Sequence, residues 1–284
     1  MNFALNHMVA PRLNHAAFFD LARKLGVESV EIRNDLKGVA LLDGSPAADV
    51  SAAAKARGLR ILSINALQRF NLWDEARAAE AASLVAQAVA SGAGALVLCP
   101  VNDVNYTPSP AERRDALREA LNALKPILSS AGVVGLVEPL GFAESSLRTK
   151  EEAVDAIEAI GGVGAFRLVH DTFHHFVAGE TKMFPQRTGL VHISGVTDAS
   201  ATAATMRDPH RVLVDAGDRI GNLAQLRALR AGGYSGAVSF EPFAASVHDS
   251  PTIEADLRAS LAYVKAGLEQ GRPAPGRRAP PRAS

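Results

Sequence analysis

The chain has 284 residues, of which 48% are hydrophobic and 21% charged, long enough for one large core. Thirty Lys and Arg balance thirty Asp and Glu, so no global positive field exists to attract nucleic acid or an anionic membrane surface. The expected partner is therefore a small molecule.

Eight short strand-like runs recur along the chain: NFALNHM, ESVEIRN, LRILSINAL, GALVLCPV, VVGLVEPL, FRLVHD, GLVHIS and GAVSFEP. Most are apolar on consecutive positions, as parallel strands covered on both faces are. Between them, Ala-rich amphipathic segments predict helices over 15–25, 47–57, 74–91, 110–129, 150–160, 223–231 and 252–268. Several of these begin at a capping or acidic residue and end at Gly26, Gly58, Gly92 or Gly132. After Asp171 the segment TFHHFVAGETKMFPQRTG is too broken for a full helix and predicts a short one followed by an irregular loop. The connection 197–221 is long, and long strand-to-helix loops in barrels commonly build the site.

Alternating strands and helices argue for a parallel sheet, and eight repeats favour closure into an α/β (β/α)8 TIM barrel over an open doubly wound sheet. No Gly-rich dinucleotide fingerprint follows the first strand. The reading is one barrel domain over 1–268 and a disordered Pro- and Arg-rich tail over 269–284. The single cysteine, Cys99, lies in an apolar run and cannot form an internal disulfide, which fits a reducing cytoplasm. No basic and apolar signal precedes the first strand, and no apolar stretch approaches the roughly 20 residues that span a bilayer, so a cytoplasmic enzyme without membrane contact is expected.

Four polar residues close four of the apolar runs: Glu138, Asp171, His192 and Glu241. Any one of them could cap a strand or pair with a helix. Three carboxylates crowded into one space, however, would repel each other unless a cation neutralised them, so the set points to one divalent ion held from several strands. Oxygen-rich ligation with one imidazole accepts Zn²⁺, Mn²⁺, Mg²⁺ or Co²⁺.

Glu on the fifth strand, Asp followed three positions later by His on the sixth, His on the seventh and Glu on the eighth is a pattern that resembles the xylose-isomerase-like TIM-barrel superfamily. The resemblance covers roughly 1–268 and lies in the sugar isomerase and epimerase branch. Within it, VEIRN, SINALQRFNLWDE, HDTFHHF and VSFEPF look most like the inosose (2-keto-myo-inositol) isomerases of inositol catabolism. The resemblance implies that Glu138, Asp171, His192 and Glu241 bind the metal, zinc or manganese being the usual ion. It also implies that His174 binds substrate and Arg211 contacts it. One departure is visible: many relatives carry Pro-Gly-x-Gly after that Arg, whereas here the sequence is VDAGDRIGN.

The implied reaction moves a carbonyl of an inosose, 2-keto-myo-inositol to 1-keto-D-chiro-inositol, through an enediolate, with Glu138 and Glu241 as an acid/base pair facing each other across the substrate. Phe70 and Trp73 would suit an apolar wall of the polyol site, and core packing explains them equally well. Asn6, Glu31, Arg33 and Asn65 near strand ends could bond substrate or form ordinary polar pairs in a barrel layer, and His175 reads as a packing residue. A ketose 3-epimerase or a hydroxypyruvate-type isomerase would use the same residues on an open-chain substrate. A repair enzyme of the apurinic endonuclease type would need further histidines near Asn65 and Cys99, where none stands, and the Asp208, His210 pair is its one echo. A homodimer is compatible with a barrel, although no segment specifies its interface.

Overall fold

The computed structural model of the protein describes residues 1–36, 41 and 45–270. Eight parallel strands close on themselves in chain order: β1 (Asn2–Asn6), β2 (Ser29–Arg33), β3 (Arg60–Gln68), β4 (Ala95–Cys99), β5 (Val134–Val137), β6 (Phe166–Asp171), β7 (Thr188–Ile193) and β8 (Ala237–Phe240). β1 pairs with both β2 and β8, which removes every sheet edge. The barrel expected from eight apolar runs is the barrel observed.

The strands separate their side chains by parity. Leu136, Val169, Leu190 and Ala237 fill the barrel interior together with Ala66, Ala95 and Val97. Their neighbours Val137, Leu168, Val191 and Val238 join the larger outer core under the helices. Both faces are apolar, which is why the strands read as continuous hydrophobic runs. Continuing the inward parity two residues past the interior layer reaches Glu138, Asp171 and His192, and on β8 the series Ala237, Ser239 leads to Glu241.

Helices α1 (His15–Lys24), α2 (Ala47–Ala56), α3 (Glu75–Ser91), α4 (Pro110–Ala131), α5 (Lys150–Ala159), α6 (Thr172–Ala178), α7 (Asn222–Ala231), α8 (Ala245–His248) and α9 (Ile253–Gln270) surround the sheet. Asn14 and Asp74 cap α1 and α3, and Ser109 with Glu112 and Thr149 with Glu152 form reciprocal capping boxes on α4 and α5. The sixth helix is short, as its broken sequence predicts. The first run is shorter than it reads: β1 stops at Asn6, whose side chain caps a 3-10 turn over His7–Val9. The tail read from 269 onward lies outside the described residues from 271, and α9 runs through Gln270. Among the described residues no helix is long and apolar enough to cross a membrane.

Candidate metal centre

Glu138, Asp171, His192 and Glu241 converge at the C-terminal rim of the barrel, each buried and each offering one donor atom within 4.8 Å of the others. They come from the ends of four consecutive strands, as active-site residues on this fold do. Proline follows both glutamates, Pro139 and Pro242, and cannot extend the ladder, so each strand ends where its carboxylate is placed.

Each ligand candidate is fixed by a second interaction. Asp171 Oδ1 accepts from the backbone N–H groups of Phe173 (2.7 Å) and His174 (3.1 Å) as the cap of α6, leaving Oδ2 to meet Arg211 Nη2 at 2.6 Å. Glu241 Oε2 accepts from Arg211 Nη2 at 3.0 Å, and its Oε1 accepts from Arg33 Nη1 at 2.8 Å. His192 turns Nδ1 toward Glu138 Oε1 (2.9 Å) and Glu241 Oε2 (3.2 Å) and turns Nε2 toward Glu31, 3.1 Å away.

Burial alone would raise the Glu241 carboxyl, but His192, Arg211 and Arg33 outweigh it and hold the group below the usual carboxylate range. Burial would lower the imidazolium of His192, yet Glu241, Glu31 and Glu138 together raise its affinity for a proton well above that of a free imidazole. The carboxylates around the ring thus favour positive charge at this position. A hard or borderline divalent cation fits this donor set, three carboxylates and one imidazole, and would take the place of that proton.

The cluster opens into a cleft of about 300 Å³ lined by Arg33, Asn65, Cys99, Leu140, His174 and Phe243, among others. His174 is buried beside it. Gly141 N–H donates to His174 Nδ1 at 3.3 Å, so Nε2 carries the ring proton. A Cβ on Gly141 would lie 2.2 Å from the carbonyl oxygen of His174, which is why only glycine lets this loop lie against α6. Arg211 is fully enclosed, with its guanidinium 4.4 Å from the centroid of Phe243. A larger hollow, about 690 Å³, opens at the opposite end of the barrel beside Phe3, Arg60 and Lys265, away from the carboxylates.

The two aromatic wall candidates are elsewhere. Phe70 is wholly buried in the outer core, and Trp73 packs half-buried against the same core. The aromatic rings that do line the cleft are Phe142 and Phe243. Each follows one of the Glu-Pro pairs by a short interval, a signal present in VEPLGF and SFEPF. Of the strand-end polar residues Asn6, Glu31, Arg33 and Asn65, all buried, Arg33 grips Asp35 with two 2.7 Å bonds and reaches Glu241. His175 points away from the cleft, where Lys150 Nζ donates to its Nδ1 at 2.6 Å. His210 is bonded to Arg207 on the surface loop, while Asp208 reaches the cleft and pairs with Arg211. In the altered loop, Asp215 accepts from Gly217 N–H and Asp218 from Asn222 N–H, so both bond their own loop.

Comparison with known proteins agrees with the fold. A xylose isomerase domain-containing protein of Salmonella typhimurium is 33% identical, with a TM-score of 0.86 over 95% of this chain and 97% of its own. An inosose isomerase of Bacillus velezensis is 28% identical over 236 residues, 79% of this chain and 81% of that protein. The IolI protein, solved with a bound zinc atom, shares the fold at a TM-score of 0.82 and 20% identity, covering 95% of this chain and 99% of that one. The family described as xylose isomerase-like TIM barrel matches residues 19–266, from within α1 to near the end of α9 with the four rim residues inside, and the chain belongs to that family.

Proposed function

We propose that the protein is a divalent-metal-dependent isomerase that moves the carbonyl of an inosose, converting 2-keto-myo-inositol to 1-keto-D-chiro-inositol. The observation that carries this reading is the convergence of Glu138, Asp171, His192 and Glu241 within 4.8 Å, with His174 and Arg211 beside them. The similarity to an inosose isomerase supports the choice of substrate. In this reading the four rim residues hold one ion, with zinc or manganese favoured over magnesium or cobalt. When bound, the ion would supply Lewis acidity that stabilises negative charge developing on the substrate.

The chain's own residues then move protons. One of Glu138 and Glu241, ionised, removes the hydrogen from the carbon that bears the hydroxyl, leaving an enediolate, and the other, entering the step protonated, delivers its proton to the former carbonyl carbon, so that the two end with their protonation exchanged. The hydroxyl proton passes to the oxygen that was the carbonyl, so atoms and charge balance. His174, with Nε2–H free to donate, orients a substrate oxygen, and Arg211 holds charge that develops there. Phe142 and Phe243 supply the apolar surface for the C–H face of the ring. The polyol is the only partner this chemistry requires. A cytoplasmic setting and a homodimer belong to the same reading, the first resting on the unpaired Cys99.

Proton NMR of 2-keto-myo-inositol in D₂O tests the proposal, with metal-stripped protein and again after Zn²⁺ addition. Metal-dependent deuterium incorporation with appearance of 1-keto-D-chiro-inositol is expected, and Glu138→Gln or Glu241→Gln should reduce exchange by a factor of at least about 10². Exchange with psicose, tagatose or fructose in its place would transfer the same mechanism to open-chain ketoses. No metal-dependent exchange with any of these ketones would overturn the isomerase reading.

A further inference from the structure

We infer that Glu31 is the residue that positions His192 for the metal: it takes the Nε2–H of the ring and thereby commits Nδ1 to coordination. The inference rests on the metal reading above and assigns a role to a residue outside the ligand set.

Glu31 sits on β2, across the barrel from β7, and is fully buried. His192 Nε2 lies 3.1 Å from its Oε1 and 3.2 Å from its Oε2, so one ring N–H is shared by both oxygens. The carboxylate is itself immobilised. Ser63 Oγ donates to Oε2 at 2.6 Å, Asn65 Nδ2 donates to the same oxygen at 2.8 Å, and Asn6 Nδ2 reaches Oε1 at 3.4 Å. Those three donors are neutral. Among the described residues, the one group of possible positive charge bonded to this buried anion is His192, and a buried carboxylate without a cationic partner is costly.

The two ring nitrogens therefore face different chemistry. Nδ1 faces Glu138 and Glu241, and Nε2 faces Glu31. With Nε2–H donated to Glu31, the ring is held in one orientation and Nδ1 is left as the nitrogen whose lone pair faces the carboxylates, where an ion would be bound. A polar pair that merely filled a barrel layer would need neither the bifurcated contact to the ligand nor three donors pinning the carboxylate from β1 and β3.

The test is ¹⁵N-histidine NMR of the Zn²⁺-loaded protein combined with Zn²⁺ affinity measured against a chromophoric chelator. For the native protein the expected spectrum shows His192 coordinated through Nδ1 with a slowly exchanging Nε2–H. In Glu31→Gln the affinity should fall about 10- to 100-fold and the Nε2 proton should exchange faster, with far-UV circular dichroism unchanged. A general electrostatic effect would weaken binding without releasing that proton. Native affinity in a folded Glu31→Gln, or a native spectrum with no proton on Nε2, would overturn the inference while leaving the metal reading intact. A native protein that binds no divalent cation would overturn both. Should the variant fail to fold, the native spectrum alone decides.

Discussion

At the scale of single residues, aromatic side chains show how far a local sequence context determines a role. Phe70 stands two residues after β3 and beside polar residues, a setting that suits either an apolar wall of the site or the core; in the closed barrel it belongs to the outer core, where it is wholly buried. Phe70→Ala should therefore lower the unfolding free energy by about 3–5 kcal/mol, read from urea denaturation, and leave KM of the folded fraction within about twofold. Phe243 lies on the cleft and stacks with the guanidinium of Arg211, so Phe243→Ala should raise KM or reduce kcat several-fold at a smaller loss of stability. A KM shift in Phe70→Ala that matches the one in Phe243→Ala would assign both rings to the site. The four rim residues were legible for the opposite reason: a charged group ending an apolar run has few roles open to it. Glu31 was not, because an acidic residue inside VEIRN looks like any polar pair of a barrel layer. Its contact with His192 is 161 positions away and exists only once the sheet closes.

At the scale of elements, the strand that carries Asp171 is held from behind by a polar network that no local pattern announces. Lys150, at the start of α5, is buried, and its ammonium donates to His170 Nδ1 (3.2 Å), His175 Nδ1 (2.6 Å) and Glu180 Oε2 (3.1 Å), three acceptors for three protons. His170 accepts at Nδ1 and so donates from Nε2 to Gln225 on α7, and Gln225 in turn bonds the carbonyl of Thr172. Thr172 Oγ1 donates to Asn222 Oδ1, whose amide reaches the carbonyl of Ser194 past the end of β7. The chain of bonds thus ties α5, α6 and α7 to the ends of the two strands that present Asp171 and His192. Burial lowers the proton affinity of Lys150 and Glu180 restores part of it, so the pair depends on both charges. Lys150→Met leaves Glu180 without its ammonium and should cost about 3–5 kcal/mol of stability, whereas Lys150→Met with Glu180→Gln should recover part of that loss. Equal stability of single and double variants in urea denaturation would show that the charges are not coupled. The helix boundaries themselves were readable, because Asn14, Asp74, Ser109 and Thr149 cap through their own side chains.

At the scale of the whole molecule, charge balance at the rim decides how the barrel responds to loss of an ion. Four buried carboxylates, those of Glu31, Glu138, Asp171 and Glu241, meet the guanidinium groups of Arg33 and Arg211 and the ring of His192. With His192 protonated, these cations offset most of the negative charge, so the metal-free barrel should remain folded. It differs in this from small domains whose fold depends on the ion. Binding of a cation to the folded form alone adds RT ln(1 + [M]/Kd), about 2.7 kcal/mol when the free ion is a hundred times Kd. For a domain of this size that corresponds to a rise in Tm of roughly 4–6 °C. Stripping the protein with a chelator should therefore lower Tm by that amount with far-UV circular dichroism unchanged at 25 °C, and added Zn²⁺ should restore it. His192→Ala removes both the Nδ1 donor and the partner of Glu31. It should lose stability even without metal and show little rise in Tm with Zn²⁺. The same rise in His192→Ala as in the native protein would place the bound ion away from the rim.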